Sequence, residues 1–501
     1  MEKKVMNLTN FFEYEKDKSG NGTYGADLLE KNITDYGIEV ISDRALADFR
    51  DGFKPAARRL MWTANELGAH YNKRTVKSAR LVGDCMGKFH PHGDVGIYSS
   101  LVTMANAEYP AIHGEGNFGS LTDGAAAPRY TEAKISPIGM KMLECECITE
   151  EVPNYTGEFK EPVVISTRVP YFFVNSCDGI AVGLSCSIPS HNLKEVVEAL
   201  KTVVKKGDKV TVKDIMKYIK GPDYKYGGRI LSAPEEMVPL YKTGVGKVKY
   251  ECDYTIKPER KAFLVTITGY CPGFQPSTFI DKMIKYMKEK KDTILYVNDS
   301  STKTEPCKLE VMVKSKEVFE ELVHKELICS EAYRYYAIKR TKSTDPEKDI
   351  DTEVITDSPL NLMKQWIEWR KSEETKVCQG EREQTAERKQ KAQWRLLASK
   401  NLKTIVKALE TEDPIDYLTK NLVGLKDDPR ALEGAKYICD QKVIALRKVD
   451  QAETEKNISD LKKHIEELDY DIAHIDQVVV RELDKLKPFF KERTLKVKED
   501  A

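Results

Sequence analysis

Arg129 and Tyr130 stand side by side in the small-residue segment Ala125-Ala126-Ala127-Pro128-Arg129-Tyr130-Thr131-Glu132, and the pairing suits phosphoryl transfer. A tyrosine hydroxyl has a reference pKa of about 10 and attacks poorly at neutral pH, so a neighbouring cation is needed to favour the phenolate and hold a phosphodiester beside it. Arg129 can do both. Alone the dipeptide says little, because the chain holds 24 tyrosines and most tyrosines pack or face solvent. Its context strengthens it. Between Lys54 and Lys88 eight cations (Lys54, Arg58, Arg59, Lys73, Arg74, Lys77, Arg80 and Lys88) face only Glu66 and Asp84. Such a segment either grips a phosphate backbone or is a solvated helix face.

Two further constellations lack the context their chemistry needs. Gly114-Glu115-Gly116-Asn117-Phe118-Gly119 matches GxGxxG, but Ser120-Leu121-Thr122-Asp123-Gly124 follows instead of an apolar helix. A loop that lets backbone approach Tyr130 or DNA fits better than a dinucleotide site. His90 and His92 have no accompanying set with zinc spacing.

In order along the chain come Asp43-Arg44-Ala45-Leu46-Ala47-Asp48-Phe49-Arg50-Asp51-Gly52-Phe53-Lys54-Pro55-Ala56-Ala57-Arg58-Arg59, then Lys88-Phe89-His90-Pro91-His92-Gly93-Asp94, the glycine-rich loop, and Arg129-Tyr130. These blocks resemble the breakage-reunion subunit of type IIA DNA topoisomerases, the family of the gyrase A protein, its topoisomerase IV counterpart and the phage medium subunit. The resemblance continues through Asn175-Ser176-Cys177-Asp178-Gly179-Ile180, Ile188-Pro189-Ser190-His191-Asn192 and Gly221-Pro222-Asp223, covering about Asp35 to Lys498.

The resemblance implies transesterification. Tyr130 would attack a backbone phosphorus, leaving a 5′-phosphotyrosyl link and a free 3′-hydroxyl. Arg129, Arg44, Lys54 and His92 would stabilise the developing charge. Arg58 and Arg59 would grip flanking phosphates, with Lys77, Arg80 and Lys88 on the same DNA face. His90 divides evenly between packing and DNA contact. Ile180 corresponds to the family's wedge, which enters a base step and bends the duplex; otherwise it is a buried strand residue.

Absences matter as well. The sequence has no GxxxxGK[ST] loop and no acidic Toprim-type cluster, and Asp469-Tyr470-Asp471 lies inside a charged helix. The resemblance therefore assigns Mg²⁺ and ATP to a separate ATPase/Toprim subunit, with no metal on this chain. It implies a homodimer that joins two copies of that subunit on double-stranded DNA. Two rival classes are a non-catalytic dimeric DNA-binding or architectural protein and a divalent-metal nuclease; the first does not need Arg129-Tyr130, and the second needs an acidic cluster.

The elements that must position these residues follow from patterning. At 501 residues, 41% hydrophobic and 32% charged, the chain has room for several cores. Its net charge of zero is unevenly spread. Met1-Glu2-Lys3-Lys4 opens no secretory signal, no stretch suits a membrane span, and eleven cysteines without CxxC spacing read as reduced thiols. A cytoplasmic, nucleoid-associated protein is expected, in a host's cytoplasm if the chain is viral.

The fold class expected is α+β and multidomain: an N-terminal arm over 1–34, a largely helical region over 35–165 that the resemblance implies is a winged-helix cleavage domain, and a mixed α/β region over 166–345 that it implies is the tower. Over 346–501 comes a long antiparallel coiled coil with a small helical cap at about 405–447. In the first domain Leu60, Ala64 and Leu67 share a helix face. Ala262–Thr268 and Leu309–Val313 read as strands. Ile458, Leu461, Ile465, Leu468, Ile472, Ile475 and Val479 form a heptad seam. Its partner is the charged helix from about Leu360 to Ala398. This hairpin is either an intramolecular arm or, as the family resemblance implies, half of a dimer gate.

The chain ends just past the coiled coil, so the resemblance implies relaxation and decatenation rather than wrapping-driven negative supercoiling. Ala57 stands where the gyrase family usually has histidine, and Val95 and Ser99 occupy the positions of the serine and acid that anchor a quinolone's water-metal bridge. Quinolones are therefore expected to poison the enzyme weakly, and abundant cleavage complexes at ordinary drug doses would contradict this.

Overall fold

The helix Gly25–Val40 (α1) runs into a π-turn, Ile41–Ala45, that presents Arg44. Pro55, with its fixed φ and missing N–H, then opens the helix Pro55–Glu66 (α2). Leu60, Met61, Trp62, Thr63 and Ala64 are all buried, so α2 is enclosed all round at this level, with two positions of the expected face, Leu60 and Ala64, among them. Strand Val76–Lys77 (β1) leads into Ser78–Lys88 (α3) and Asp94–Asn106 (α4). Ile112–Glu115 (β2) and Glu132–Ile135 (β3) complete an antiparallel sheet in the order β1-β3-β2. Ser136 caps Pro137–Met142 (α5), its hydroxyl accepting the Gly139 N–H at 3.0 Å. A hairpin, Glu151–Pro153 (β4) and Lys160–Pro162 (β5), follows and buries Glu161.

The computed structural model describes residues 25–302, 304–346, 348–442, 446 and 450–497. The arm expected over 1–34 lies outside the described residues up to 24, and from Gly25 the chain is α1. Two units emerge, Met1–Trp369 with Glu482–Ala501, and Arg370–Arg481.

In the first unit, Cys177–Ala181 (β6) and Leu184–Ile188 (β7) form a hairpin on a six-stranded sheet. Arg229–Ile230 (β8) and Val245–Glu251 (β9) belong to the same sheet. A second, four-stranded sheet contains Asp253–Glu259 (β10), Ala262–Gly269 (β11), Ile294–Asp299 (β12) and Leu309–Val313 (β13), in the order β10-β11-β13-β12. The alternation read as strands is real: Leu309, Val311 and Val313 are buried with Val265 and Ile267. Ile328–Arg334 (β14) returns to the first sheet beside β9, and Ala337–Lys342 (β15) pairs with Ile350–Ile355 (β16). Lys496–Val497 (β17) adds a parallel edge strand to β8, giving β17-β8-β9-β14-β7-β6.

Two buried carboxylates tie these parts together. Asp48 accepts hydrogen bonds from Arg50 Nε at 2.9 Å, Arg50 Nη2 at 2.7 Å and the Arg340 N–H at 2.9 Å. Burial alone would push its carboxyl up, but the Arg50 charge and hydrogen bonds, aided by Arg58 and Arg340, hold it below the ordinary range. Asp51 accepts from Arg58 Nε at 2.6 Å, Arg58 Nη2 at 3.0 Å and the N–H groups of Phe53 and Ile165 at 3.0 Å each. Trp366, at the start of the 42-residue helix Pro359–Lys400, donates to Arg50 O at 3.0 Å.

The second unit is an antiparallel helical hairpin. Lys371 meets Asp476 at 2.8 Å, Glu381 meets His464 at 3.1 Å, and Lys400 meets Glu455 at 2.6 Å, one number rising as the other falls. Cys378, Leu468 and Val478 form its small core, with Ile472 and Ile475 packed on it. The seam is interrupted where Gln451–Ala473 ends at His474 and Ile475–Asp484 begins. At the far end Leu402–Leu409, Pro414–Asn421 and Ala431–Cys439 enclose a separate core. That core starts earlier than expected, at Trp394, and includes Leu418, Leu425 and Ile438. Residues 443–445 and 447 of the cap's closing stretch lie outside the described residues.

Removing Asp51 would strand the Arg58 guanidinium in the interior. Asp51→Ala is expected to destabilise the first unit by about 3–5 kcal/mol, measured by denaturant unfolding. A loss under about 1 kcal/mol would show that the pair is dispensable.

Candidate active site

Tyr130 is 65% exposed, and the Arg129 guanidinium carbon lies 4.6 Å from its ring centroid. The guanidinium stacks on the ring and leaves the hydroxyl open to a substrate. The loop beneath is braced from several sides. Tyr130 donates its N–H to Ala127 O at 2.9 Å, and Ala126 donates to Asn117 O at 3.0 Å. The Tyr98 hydroxyl on α4 donates to Ala126 O at 2.6 Å and lies 2.9 Å from Thr131 Oγ1, which donates to Ser78 Oγ at 2.9 Å. Gly116 explains the glycine-rich loop: at φ +99°, an added Cβ would sit 3.2 Å from the Tyr130 carbonyl oxygen.

A second cluster gathers Arg44, Arg59, His90 and His92. Arg59 reaches Glu161 through Nε at 2.5 Å and Nη2 at 3.0 Å, and its Nη1 lies 3.2 Å from Asp43 and 2.9 Å from His90 Nδ1. Burial, then the charges of Arg59 and His92, push the His90 imidazole down to about 4. At neutral pH His90 is therefore uncharged, accepts from Arg59 through Nδ1 and keeps its proton on Nε2. Its ring meets the exposed His92 edge-on at 4.5 Å. Arg44 is exposed, and its charge also bears on His90.

Several expected contacts change on this geometry. Arg58 is 1% exposed with its fork on Asp51, so it has no surface for a phosphate and serves as an internal strut. Arg59 is largely committed to Glu161 and Asp43. Lys88 pairs with Glu66 at 3.1 Å and lies over the Phe159 ring, while Lys77 pairs with Glu132 at 2.8 Å. Arg80 is open, its nearest acid Asp84 at 3.9 Å. Lys54 donates through Nζ to Asp178 O on β6 at 2.5 Å. Ile180 is 87% exposed on the β6–β7 hairpin, not buried. Gly179 next to it packs so closely that an added Cβ would lie 2.2 Å from Ala45 O.

No hydrogen bond or ion pair among the described residues links Tyr130 or Arg129 to Arg44, His92 or Lys54. Sequence reasoning missed Asp43, Glu161, Tyr98 and Gly179. Asp43 and Gly179 lie inside the blocks that carry the family resemblance, but Glu161 sits in an ordinary polar hairpin without a distinguishing signal.

The family model for the A subunits of DNA gyrase and topoisomerase IV matches residues 44–484. The chain belongs to that family. Among relatives, it is 30% identical to the DNA gyrase A protein of Thermotoga maritima over 449 residues, 88% of this chain and 55% of that one. It is 41% identical to the DNA topoisomerase 4 A protein of Neisseria gonorrhoeae over 251 residues, 49% of this chain and 33% of that one. The chain thus spans about half or less of the length of these family members. Among the described residues, no three or more His, Cys, Asp or Glu are arranged to hold a metal, and no helix is long and apolar enough to cross a membrane.

Removing the Tyr98 hydroxyl should loosen the Tyr130 loop. Tyr98→Phe is expected to speed amide exchange over residues 126–131 roughly tenfold, for one or two lost hydrogen bonds of about 1 kcal/mol each. Unchanged exchange would mean that Gly116 and Asn117 hold the loop without it.

Proposed function

We propose that this chain is the DNA cleavage and religation component of an ATP-dependent type IIA topoisomerase. The observation that carries this is an exposed Tyr130, held beside Arg129 on a braced loop, in a chain whose family match runs over residues 44–484. Tyr130 attacks phosphorus, the bond to the 3′ oxygen breaks, and a 5′-phosphotyrosyl ester forms. The 3′-hydroxyl then reverses the step, so the bond energy is kept in the ester. Arg129 offsets the negative charge on the non-bridging oxygens.

Arg44 and His92 belong to a different cluster from Tyr130, which favours a homodimer in which the tyrosine of one copy meets the cations of the other. The cap supports a second meeting point: Val406, Leu409, Val423 and Leu432 are exposed on it, Val423 at 82%. In this reading the region of about 35–165 is the winged-helix cleavage domain, 166–345 the tower, and 346–501 the coiled coil with its gate. Ile180 is the wedge that bends the duplex.

Among the described residues no three or more His, Cys, Asp or Glu are gathered to hold a metal. Mg²⁺ and ATP are assigned to an ATPase/Toprim partner, and the working place is the cytoplasm.

The test combines the chain with such a partner, Mg²⁺ and end-labelled duplex, stops with denaturant and compares wild type with Tyr130→Phe. A covalent adduct at 5′ ends is expected in wild type and absent from the variant at unchanged duplex binding. An adduct that survives in Tyr130→Phe would assign the nucleophile elsewhere, and intact binding without adduct in either protein would favour an architectural DNA-binding protein.

A further inference from the structure

Cys252 is the single residue between β9 and β10, where the chain leaves the six-stranded sheet for the four-stranded one. It is fully buried, and its Sγ lies 3.5 Å from Sγ of Cys271, which is 1% exposed just beyond the end of β11. Cys329, on β14 of the six-stranded sheet, is partly exposed and stands two residues from Leu327, whose carbonyl oxygen lies 2.9 Å from the Cys252 nitrogen and 3.9 Å from Cys271 Sγ. Three thiols that are far apart in sequence therefore meet where the two sheets join. The packing around them is tight: an added Cβ on Gly228 would lie 2.8 Å from the Cys271 Cβ. The contacts with Cys252 and Cys329 push the Cys271 thiol up, while the contact with Cys271 and the charge of Lys282 bring the Cys329 thiol down.

We infer that Cys329 and Cys271 form a peroxide-oxidisable dithiol, with Cys252 as a third thiol able to exchange into the bond. The roles follow from access and contact. Cys329 is the sulfur a small oxidant reaches; its thiolate attacks one peroxide oxygen, the O–O bond breaks, and Cys329 becomes a sulfenic acid as hydroxide leaves. Cys271 then attacks that sulfur, the S–O bond breaks, and water leaves. The two thiols lose two electrons and peroxide is reduced to two waters. Cys252 can attack the Cys271 sulfur and expel the Cys329 thiolate, which moves the disulfide inward and frees Cys329. Neighbouring sulfurs close to about 2.05 Å in the bond, so Cys252 and Cys271, at 3.5 Å, would approach by about 1.5 Å.

The Cys271–Cys329 bond would join the exit of β11 to β14, a covalent staple between the two sheets. It does not depend on the transesterification proposed for Tyr130, so its test reads thiols rather than DNA. The full chain is treated with hydrogen peroxide under native conditions, denatured in alkylating reagent and mapped by mass spectrometry. Exposed Cys147 serves as the internal control for simple access. The expected result is loss of two alkylation sites with a linked Cys271–Cys329 or Cys252–Cys271 peptide. Cys329→Ser should slow protection of Cys271 at least tenfold. Cys271→Ser should leave a sulfenic acid on Cys329 that dimedone captures, and wild-type mapping decides the matter if that variant fails to fold. Oxidation of Cys147 with Cys252, Cys271 and Cys329 all still alkylated would overturn the inference.

Discussion

The paired carboxylates Asp48 and Asp51 are the constraint on which the first unit depends. Two arginines are buried, and each is tolerable because a carboxylate and a backbone carbonyl meet its guanidinium at hydrogen-bond distance. The same carboxylates fasten chain segments that are remote in sequence. Asp48 holds β15 through Arg340, Asp51 holds the segment at Ile165, and Arg50 receives Trp366. The path from Ala45 to Lys54 is thereby fixed, and with it the place of Arg44 on one side and the start of α2 on the other. Such a core sets geometry more than it adds stability, since well-packed apolar residues would be at least as favourable.

Around that frame the two groups of functional residues are built differently. The cation cluster is inward and committed: Arg59 is held by Glu161 and Asp43, and His90 stays neutral beside it. Only Arg44 and His92 turn outward from it. The tyrosine loop is open, with its bracing applied to the backbone through Tyr98, Asn117 and Gly116 and, among the described residues, none to the Tyr130 hydroxyl. A nucleophile that must be linked to and released from a large substrate needs this combination of a fixed main chain and an unencumbered oxygen.

Much of this was legible in the sequence because it follows local rules. The Arg129-Tyr130 pair, the helix that carries Leu60 and Ala64, the alternation in β11 and β13, and the seam from Ile458 to Val479 each follow from spacing or residue type alone. The break at His474 did not show, because the apolar spacing runs through it unchanged. The fate of individual cations was illegible. Arg58 and Arg59 are adjacent and identical in type, yet Arg58 is sealed inside on Asp51, seven residues earlier, while Arg59 is held mainly by Glu161 of the distant β4–β5 hairpin. Charge counts cannot distinguish a surface cation from one that packing seals inside.

The contact between Gly179 and Ala45 O joins main chain to main chain. Side chains on the β6–β7 hairpin take no part in it, so Ile180 and Val182 can vary in size and shape while the hairpin stays registered against the turn that carries Arg44. How far the hairpin tip reaches and where the hairpin stands are thus set by different residues, the reach by the exposed Ile180 and the stance by Gly179.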